Sequence, residues 1–471
     1  MISFVDNPLL TKELREEMRS RKIFFVVPVY IALLSIVALV AVGSSSGANF
    51  NPTTLSNTSR VTMYSFIVTI SILLGLVTVV LGAASFTTER EKATFELLEL
   101  TPLSYAELVL GKFFHGFVLI CLILLSSLPV LSTLFFMGGL TYTDLFLSLF
   151  YLAIFFSAVL LGAMCISIIS SRTILSIISS LALGFVISIS LAVLTGFVSR
   201  SNAARGFAVI SPWLVTYQQI FEPTPLKVAG VDVPVWPFYV ALYAGFCLLF
   251  LCWARNALDT RKLERNPWVR VLGLLLVNAY IALGVLCARS YAAIKESDIV
   301  DIYALLMAGV VVLLPCFALG AFTDRDRISF FKRPVLESLN LRRLLLNHPA
   351  TGVTYLMVLL ASATVTLSLA SGLSLVLILK YAQILYAWIL PWFLVFVVLR
   401  LFEFRPRGIF VTYVLATILY TIIVSFLNVS RPAARSFSEF YTPEIGMFLL
   451  WLVSIGLFAV VRAKKRRPAH A

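Results

Sequence analysis

The sequence predicts an all-α polytopic membrane protein with about twelve transmembrane helices in two six-helix halves. Hydrophobic residues occupy 60% of its 471 positions and the mean hydropathy is +0.98, which excludes an ordinary soluble domain. A membrane-spanning helix needs about 20 consecutive apolar residues. About twelve such runs occur, at roughly residues 23–43, 63–86, 113–137, 145–170, 173–198, 236–254, 269–288, 300–322, 353–373, 378–399, 408–427 and 443–461.

The distribution of basic residues supports this topology. With twelve spans and a cytoplasmic N-terminus, 28 of the 37 Lys and Arg residues fall on the cytoplasmic side and 9 fall outside. Both termini are then cytoplasmic. The net charge of +14 follows from this topology and from contact with anionic lipid, so it requires no nucleic-acid partner.

The segment before the first span, residues 1–22, predicts an amphipathic helix at the membrane surface. Apolar residues recur every four positions on one side, and charged residues fill the other sides. Such a helix lies among lipid headgroups with its basic side chains near phosphate. The residues that define the two sides are Leu10, Leu14 and Met18, and Arg15 and Arg19.

A charged loop, residues 87–112, follows the second apolar run. Charged side chains are costly in hydrocarbon, so this loop is expected to project into water. There it offers apolar and charged side chains to a soluble partner, although a loop that is only solvated is the alternative. The candidate site residues are Glu89, Arg90, Glu91, Thr94, Phe95, Glu96, Leu97, Leu98, Thr101, Pro102, Gly111 and Lys112.

The pattern ER-E-x-x-T-x-E-L-L-x-x-T-P-L-S in this loop, with GK at the start of the next span, resembles the cytoplasmic loop of ABC-2 type transporter permeases. The segment NPLLTKELREEMRSRK, residues 7–22, is similar to the helix before the first span in that family. The resemblance implies a type V exporter-like transmembrane fold in a prokaryotic cytoplasmic membrane. It also implies that the loop couples the chain to separate ABC ATPase subunits, which the N-terminal helix touches too. One or two permease chains per complex are both left open.

No G-x-x-x-x-G-K-[ST] phosphate-binding loop occurs, since Gly111-Lys112 lacks the upstream glycine. We therefore expect that the chain is not an enzyme and that ATP and Mg²⁺ bind to the partner ATPase. The three histidines are far apart, and all six cysteines fall in predicted spans. No metal site is expected.

The two halves are predicted at residues 23–256 and 269–462, joined by a cytoplasmic connector at 257–268 and followed by a basic tail at 463–471. The sequence FTTERE at 86–91 is echoed by FTDRDR at 322–327, where the cytoplasmic loop 323–352 begins. An internal duplication explains the echo, and chance placement of charges beside a span is the alternative.

The outer loop at residues 199–235 holds Trp213, Tyr217 and Phe221, which lie four positions apart and would share one face of a helix. Aromatic side chains of this kind favour the membrane interface. The pattern resembles the short outer helices of ABC-2 permeases, and an anchor with no part in transport is equally compatible.

The favoured function is an exporting ABC-2 permease driven by a separate ATPase. An ion-coupled secondary transporter is disfavoured, because no acidic or histidine residue lies clearly at mid-membrane. A membrane-embedded transferase would need clustered acidic or histidine residues in a loop. Hydroxyl residues in the spans, as at 166–190, serve helix packing or line a path for substrate.

Overall fold

The structure is a computed structural model, and it describes residues 15, 21–45, 52–95, 104–170, 172–182, 184, 188, 209–221, 226–228, 231–258, 268–291 and 352–371. Within that part of the chain, five helical stretches are long and apolar enough to cross a membrane, and two of them contain more than one helix: Ser56–Glu91, Tyr105–Phe135, Tyr142–Ile168, Trp236–Leu258 and Trp268–Cys287. These helices confirm a multi-pass membrane protein. The predicted spans at 300–322, 378–399, 408–427 and 443–461, the predicted loop 323–352 apart from Gly352, and the basic tail lie outside the described residues.

The chain divides into two compact units. The elements of the first unit are α1 (Arg21–Ser45), α2 (Pro52–Ala84), α3 (Thr87–Glu91), α4 (Tyr105–Ser126), α5 (Leu128–Ser132), a 3₁₀ helix (Thr133–Met137), α6 (Tyr142–Ile169), α7 (Thr173–Ala182), α8 (Pro212–Phe221) and α9 (Trp236–Leu258). Between α8 and α9, β1 (Leu226–Val228) pairs with β2 (Val231–Val233) in a two-stranded sheet. This hairpin is a small departure from the all-α prediction.

Helix α6 forms the core of the first unit, where it packs against α2, α4, α8 and α9. It lies very close to α2 at Gly82. A Cβ atom added there would lie 2.6 Å from the Cβ of Ala163 and 2.8 Å from the carbonyl oxygen of Leu160. Small residues allow two membrane helices this proximity, because backbone can meet backbone without an intervening side chain.

Two capping boxes set the starts of α4 and α6. Ser104 accepts the amide of Glu107 through its hydroxyl, and the carboxylate of Glu107 accepts the amide of Ser104 at 2.9 Å. Thr141 and Asp144 repeat this arrangement, with the Thr141 amide 3.0 Å from the carboxylate. Each box satisfies two amides that a helix start leaves free. The box at Ser104 explains why α4 begins eight positions before the predicted span at 113.

Pro129 explains why α4 ends before the predicted span does. The apolar run predicted one span at 113–137, but α4 stops at Ser126 and the chain continues as α5 and the 3₁₀ helix. Pro129 lies in the first turn of α5, where it needs no intrahelical amide bond, whereas inside a longer helix it would remove one.

The second unit contains α10 (Trp268–Tyr291) and α11 (Gly352–Ser371), which pack together. Asn278 on α10 joins them through its side-chain amide, which donates to the Ser362 hydroxyl at 3.1 Å. Its carbonyl oxygen accepts the Thr366 hydroxyl at 2.7 Å. Polar bonds of this kind hold helices together where water is absent.

Many hydroxyl groups in the described spans bond within their own helix. In α2, the hydroxyls of Thr62, Thr69 and Ser71 each donate to the carbonyl four residues earlier, at 2.6 to 2.9 Å. This pattern satisfies the polar group locally and leaves the helix surface apolar. It favours the packing interpretation of these residues, and the substrate-path interpretation stays a prediction.

Candidate functional site

The site lies where α2 ends and α3 begins, at the sequence FTTERE. Phe86 separates the two helices and its side chain is fully buried. Thr87 and Thr88 donate their hydroxyls to the carbonyls of Ala83 and Ala84 at 2.9 and 2.7 Å. The short helix α3 is therefore held in a fixed direction against the end of α2.

Ser167 of α6 caps the start of α3 from another helix. Its hydroxyl oxygen accepts the backbone amides of Phe86 at 3.0 Å and Thr87 at 3.1 Å. Phe86 occupies the N-cap position of α3 and makes no side-chain cap bond of its own. Since a helix start needs acceptors for its first amides, fully buried Ser167 supplies what the local sequence lacks.

Arg90 of α3 binds the carboxyl end of α6. Its Nη1 donates to the carbonyl of Ile168 at 2.6 Å and to that of Ser170 at 3.0 Å. The last carbonyls of a helix have no intrahelical partner and carry partial negative charge, so a guanidinium is well suited to them. Arg90 also lies over the ring of Phe95, with 5.1 Å from its Cζ to the ring centroid.

Glu91, the next residue, binds the start of α7. One carboxylate oxygen accepts the amide of Thr173, the first residue of α7, at 2.7 Å. The amino end of a helix carries partial positive charge and attracts a carboxylate. The adjacent residues Arg90 and Glu91 thus join the end of α6 to the start of α7, each with the charge that its helix terminus favours.

Glu89 pairs with Lys112 of α4. The ammonium lies 2.6 Å from one carboxylate oxygen. The Lys112 side chain is 5% exposed and the Glu89 side chain is 19% exposed. The second carboxylate oxygen of Glu89 is buried and has no hydrogen-bond partner. Lys112 also lies over the ring of Phe86, 5.4 Å from its centroid. This buried ion pair ties α4 to α3.

The chain leaves α3 through a tight turn at Ala93. The amide of Ala93 donates to the carbonyl of Arg90 at 3.2 Å, and the amide of Thr94 donates to that of Glu89 at 2.9 Å. This pair of bonds is the Schellman motif, which usually has glycine where this chain has alanine. Ala93 has a φ of 55°, in the left-handed region that costs an L-residue about 1 kcal/mol.

We call this arrangement the junction site: residues 86–91, Lys112, Ser167, Ile168, Ser170 and Thr173. The structure brings together four of the residues predicted for the loop, which are Glu89, Arg90, Glu91 and Lys112. They bond within the chain, whereas they were predicted as part of a surface for a partner. Residues 91–94 are exposed, and Gly111 is buried in α4 beside Lys112.

Several predicted residues lie outside the described part of the chain. These are Glu96, Leu97, Leu98, Thr101, Pro102, Leu10, Leu14, Met18 and Arg19, while Arg15 is helical and exposed. Sequence reasoning missed Ser167 and Thr173. The serine-rich stretch 166–190 marked their region without distinguishing the one hydroxyl that bonds to the loop.

The predicted outer aromatic residues lie on α8. The rings of Tyr217 and Phe221 stack at 4.8 Å, and Tyr64 of α2 meets Tyr217 edge to face at 5.6 Å. Trp213 contacts Phe155 of α6, with ring centroids 6.4 Å apart. Gln219 donates to the carboxylate of Asp144 at 3.3 Å. Helix α8 is thus fixed to α2 and α6 by its aromatic and amide side chains.

Among the described residues, no group of three or more His, Cys, Asp or Glu side chains could hold a metal ion. Residues 8–234 match the family model described as ABC-2 family transporter protein. The matched region is just under half of the chain and includes α1 to α8 and the β hairpin. Neither the curated proteins nor the solved structures contain a match.

Proposed function

We propose that the chain is the permease subunit of an ATP-driven exporter, because residues 8–234 match the family model described as ABC-2 family transporter protein. A separate ATPase subunit binds and hydrolyses ATP with Mg²⁺, and the permease converts its motion into transport. The chain lies in the cytoplasmic membrane with both termini and residues 86–95 on the cytoplasmic side. The basic-residue distribution supports that orientation.

The junction site is the observation that carries this proposal. A loop that receives force from a partner must be held rigidly to the helices that it moves. Here α3 is bonded to α4 through Glu89 and Lys112, and to α6 through Arg90. Because these charges are used inside the chain, the partner contact falls to the exposed turn at Lys92–Thr94 and to the acidic and leucine-rich residues 96–100.

The first test is purification of the chain together with the products of its neighbouring genes. We expect a co-eluting ATPase that carries the phosphate-binding loop that this chain lacks. Vanadate-sensitive ATP hydrolysis by the complex would support the proposal. Ion-gradient-driven transport by the chain alone would favour a secondary transporter instead.

The second test perturbs the contact without touching the junction site. Glu96→Lys combined with Leu98→Asp should uncouple ATP hydrolysis from transport while insertion into the membrane stays intact. The matched control is Asp232→Lys with Val231→Asp in the exposed strand β2, which makes the same chemical changes away from the loop. Normal ATPase recruitment and normal transport in the Glu96 and Leu98 variant would contradict the proposal.

The third test asks whether both cytoplasmic loops bind the ATPase. Cysteines replace Thr94, exposed after α3, and Ser338 in the predicted loop 323–352. Crosslinking to an ATPase subunit from both positions would show that both halves dock. Capture from Thr94 alone would mean that the second half is not a coupling half.

A further inference from the structure

The break between α6 and α7 has bonding that its own sequence does not explain. Helix α6 ends at Ile169 and α7 starts at Thr173. The carbonyls of Ile168 and Ser170 and the amide of Thr173 all bond to residues of α3, from 78 to 82 positions earlier in the chain. Neither helix terminus is completed by its neighbours in sequence at these groups.

The bonding is reciprocal. α6 completes α3, because the Ser167 hydroxyl accepts the first amides of the short helix. α3 in turn completes α6 and α7, because Arg90 and Glu91 bind their facing ends. Each of the three helix termini therefore loses hydrogen bonds if α3 moves away from the break.

We propose that α3 docks against the break between α6 and α7, which we call the seat of α3. Ser167, Arg90 and Glu91 are then positioning residues for energy coupling. This inference rests on the proposed function. Motion imposed on residues 86–95 by an ATPase passes directly into α6 and α7 as well as into α2 and α4, which adjoin the loop in sequence. Since α6 is the core helix of its unit, the motion reaches α8 and α9 through it.

The seat is tested by amide hydrogen exchange on the full chain in lipid nanodiscs. Ser167→Ala should speed exchange in a peptide covering residues 84–95 by about tenfold, because two buried amides lose their acceptor. The matched control is Ser148→Ala on the same helix, whose buried hydroxyl donates to the carbonyl of Asp144 within α6. Glu91→Ala should speed exchange at Thr173, whereas Glu91→Gln keeps an acceptor and should change it less.

Transmission is tested on the same variants bound to the ATPase. In the wild type, trapping with ATP and vanadate should alter exchange in both residues 84–95 and residues 165–182. In Ser167→Ala and Glu91→Ala the first peptide should still respond, while the response of the second should fall at least severalfold.

Two results would overturn the inference. One is an equal exchange rate in the peptide 84–95 of Ser167→Ala and Ser148→Ala. The other is a wild type in which nucleotide trapping changes exchange in residues 84–95 but not in residues 165–182. If no ATPase binds the chain, the proposed function fails. The exchange comparison without nucleotide then still decides whether the seat exists.

Discussion

Replacing Lys112 by methionine tests the buried ion pair of the junction site. Methionine keeps an unbranched apolar stem but removes the ammonium that lies 2.6 Å from Glu89. The carboxylate would then be buried without a cation, and its second oxygen already has no hydrogen-bond partner. Removing one partner of a buried pair costs about 3–5 kcal/mol. We expect the lower end, about 3 kcal/mol, because the Glu89 side chain is 19% exposed and water can reach part of it.

The assay is reversible unfolding in mixed micelles, with a double-mutant cycle. Glu89→Gln combined with Lys112→Met should restore most of the loss, since a neutral pair leaves no uncompensated charge. The coupling free energy should be about 2 kcal/mol. The control is Lys92→Met on the exposed turn, which should change the free energy of unfolding by less than about 0.5 kcal/mol. A cost below about 1 kcal/mol for Lys112→Met, or strict additivity in the cycle, would refute the reasoning.

Three further predictions concern the packing around the junction site and in the second unit. Ala93→Gly should stabilise the first unit by about 1 kcal/mol in the same assay, because glycine adopts a φ of 55° without strain. Ala93→Val should destabilise the unit, and equal stability of the two variants would contradict the Schellman turn. Gly82→Ala should lower the free energy of unfolding by about 1–3 kcal/mol, because the added methyl group meets α6, and adding Ala163→Gly should recover only part of that loss. The control is Gly43→Ala, where an added Cβ atom meets nothing within 4 Å, and it should not destabilise the protein. Asn278→Leu should weaken the association of α10 with α11 by about 1–2 kcal/mol, measured as the free energy of unfolding of the second unit. An unchanged free energy of unfolding would show that packing alone holds the two helices together.

The membrane class and the position of the charged FTTERE segment at the end of a span could be predicted from the sequence, because both depend on local composition. Apolar runs locate spans, and a cluster of charges between two spans must leave the hydrocarbon. The ends of the helices were less accurate. Their signals were present, with Ser104 and Glu107 at capping-box spacing and Pro129 inside an apolar run, but hydropathy alone does not register them.

The bonding within the junction site could not be predicted in this way. The partner groups of Arg90 and Glu91 are backbone carbonyls and an amide about 80 positions away, and backbone groups have no sequence signature. Ser167 is one of several serines in its stretch, and only the packing of α2 against α6 selects it. The structure therefore adds the intrachain partners of Glu89, Arg90, Glu91 and Lys112, and the role of these residues in contacting an ATPase stays a prediction.

The length of α2 has a mechanical consequence. Its 33 residues make a rod about 50 Å long, against a hydrocarbon core of about 30 Å. One end adjoins the junction site, and near the other Ser59 bonds to the carbonyl of Leu134 in the 3₁₀ helix. For a rigid rod of this length, a tilt of about 5° pivoted at the junction site displaces the far end by about 4 Å. A rotation of α2 by a few degrees about the end that adjoins the junction site would therefore displace its other end by about the length of a side chain.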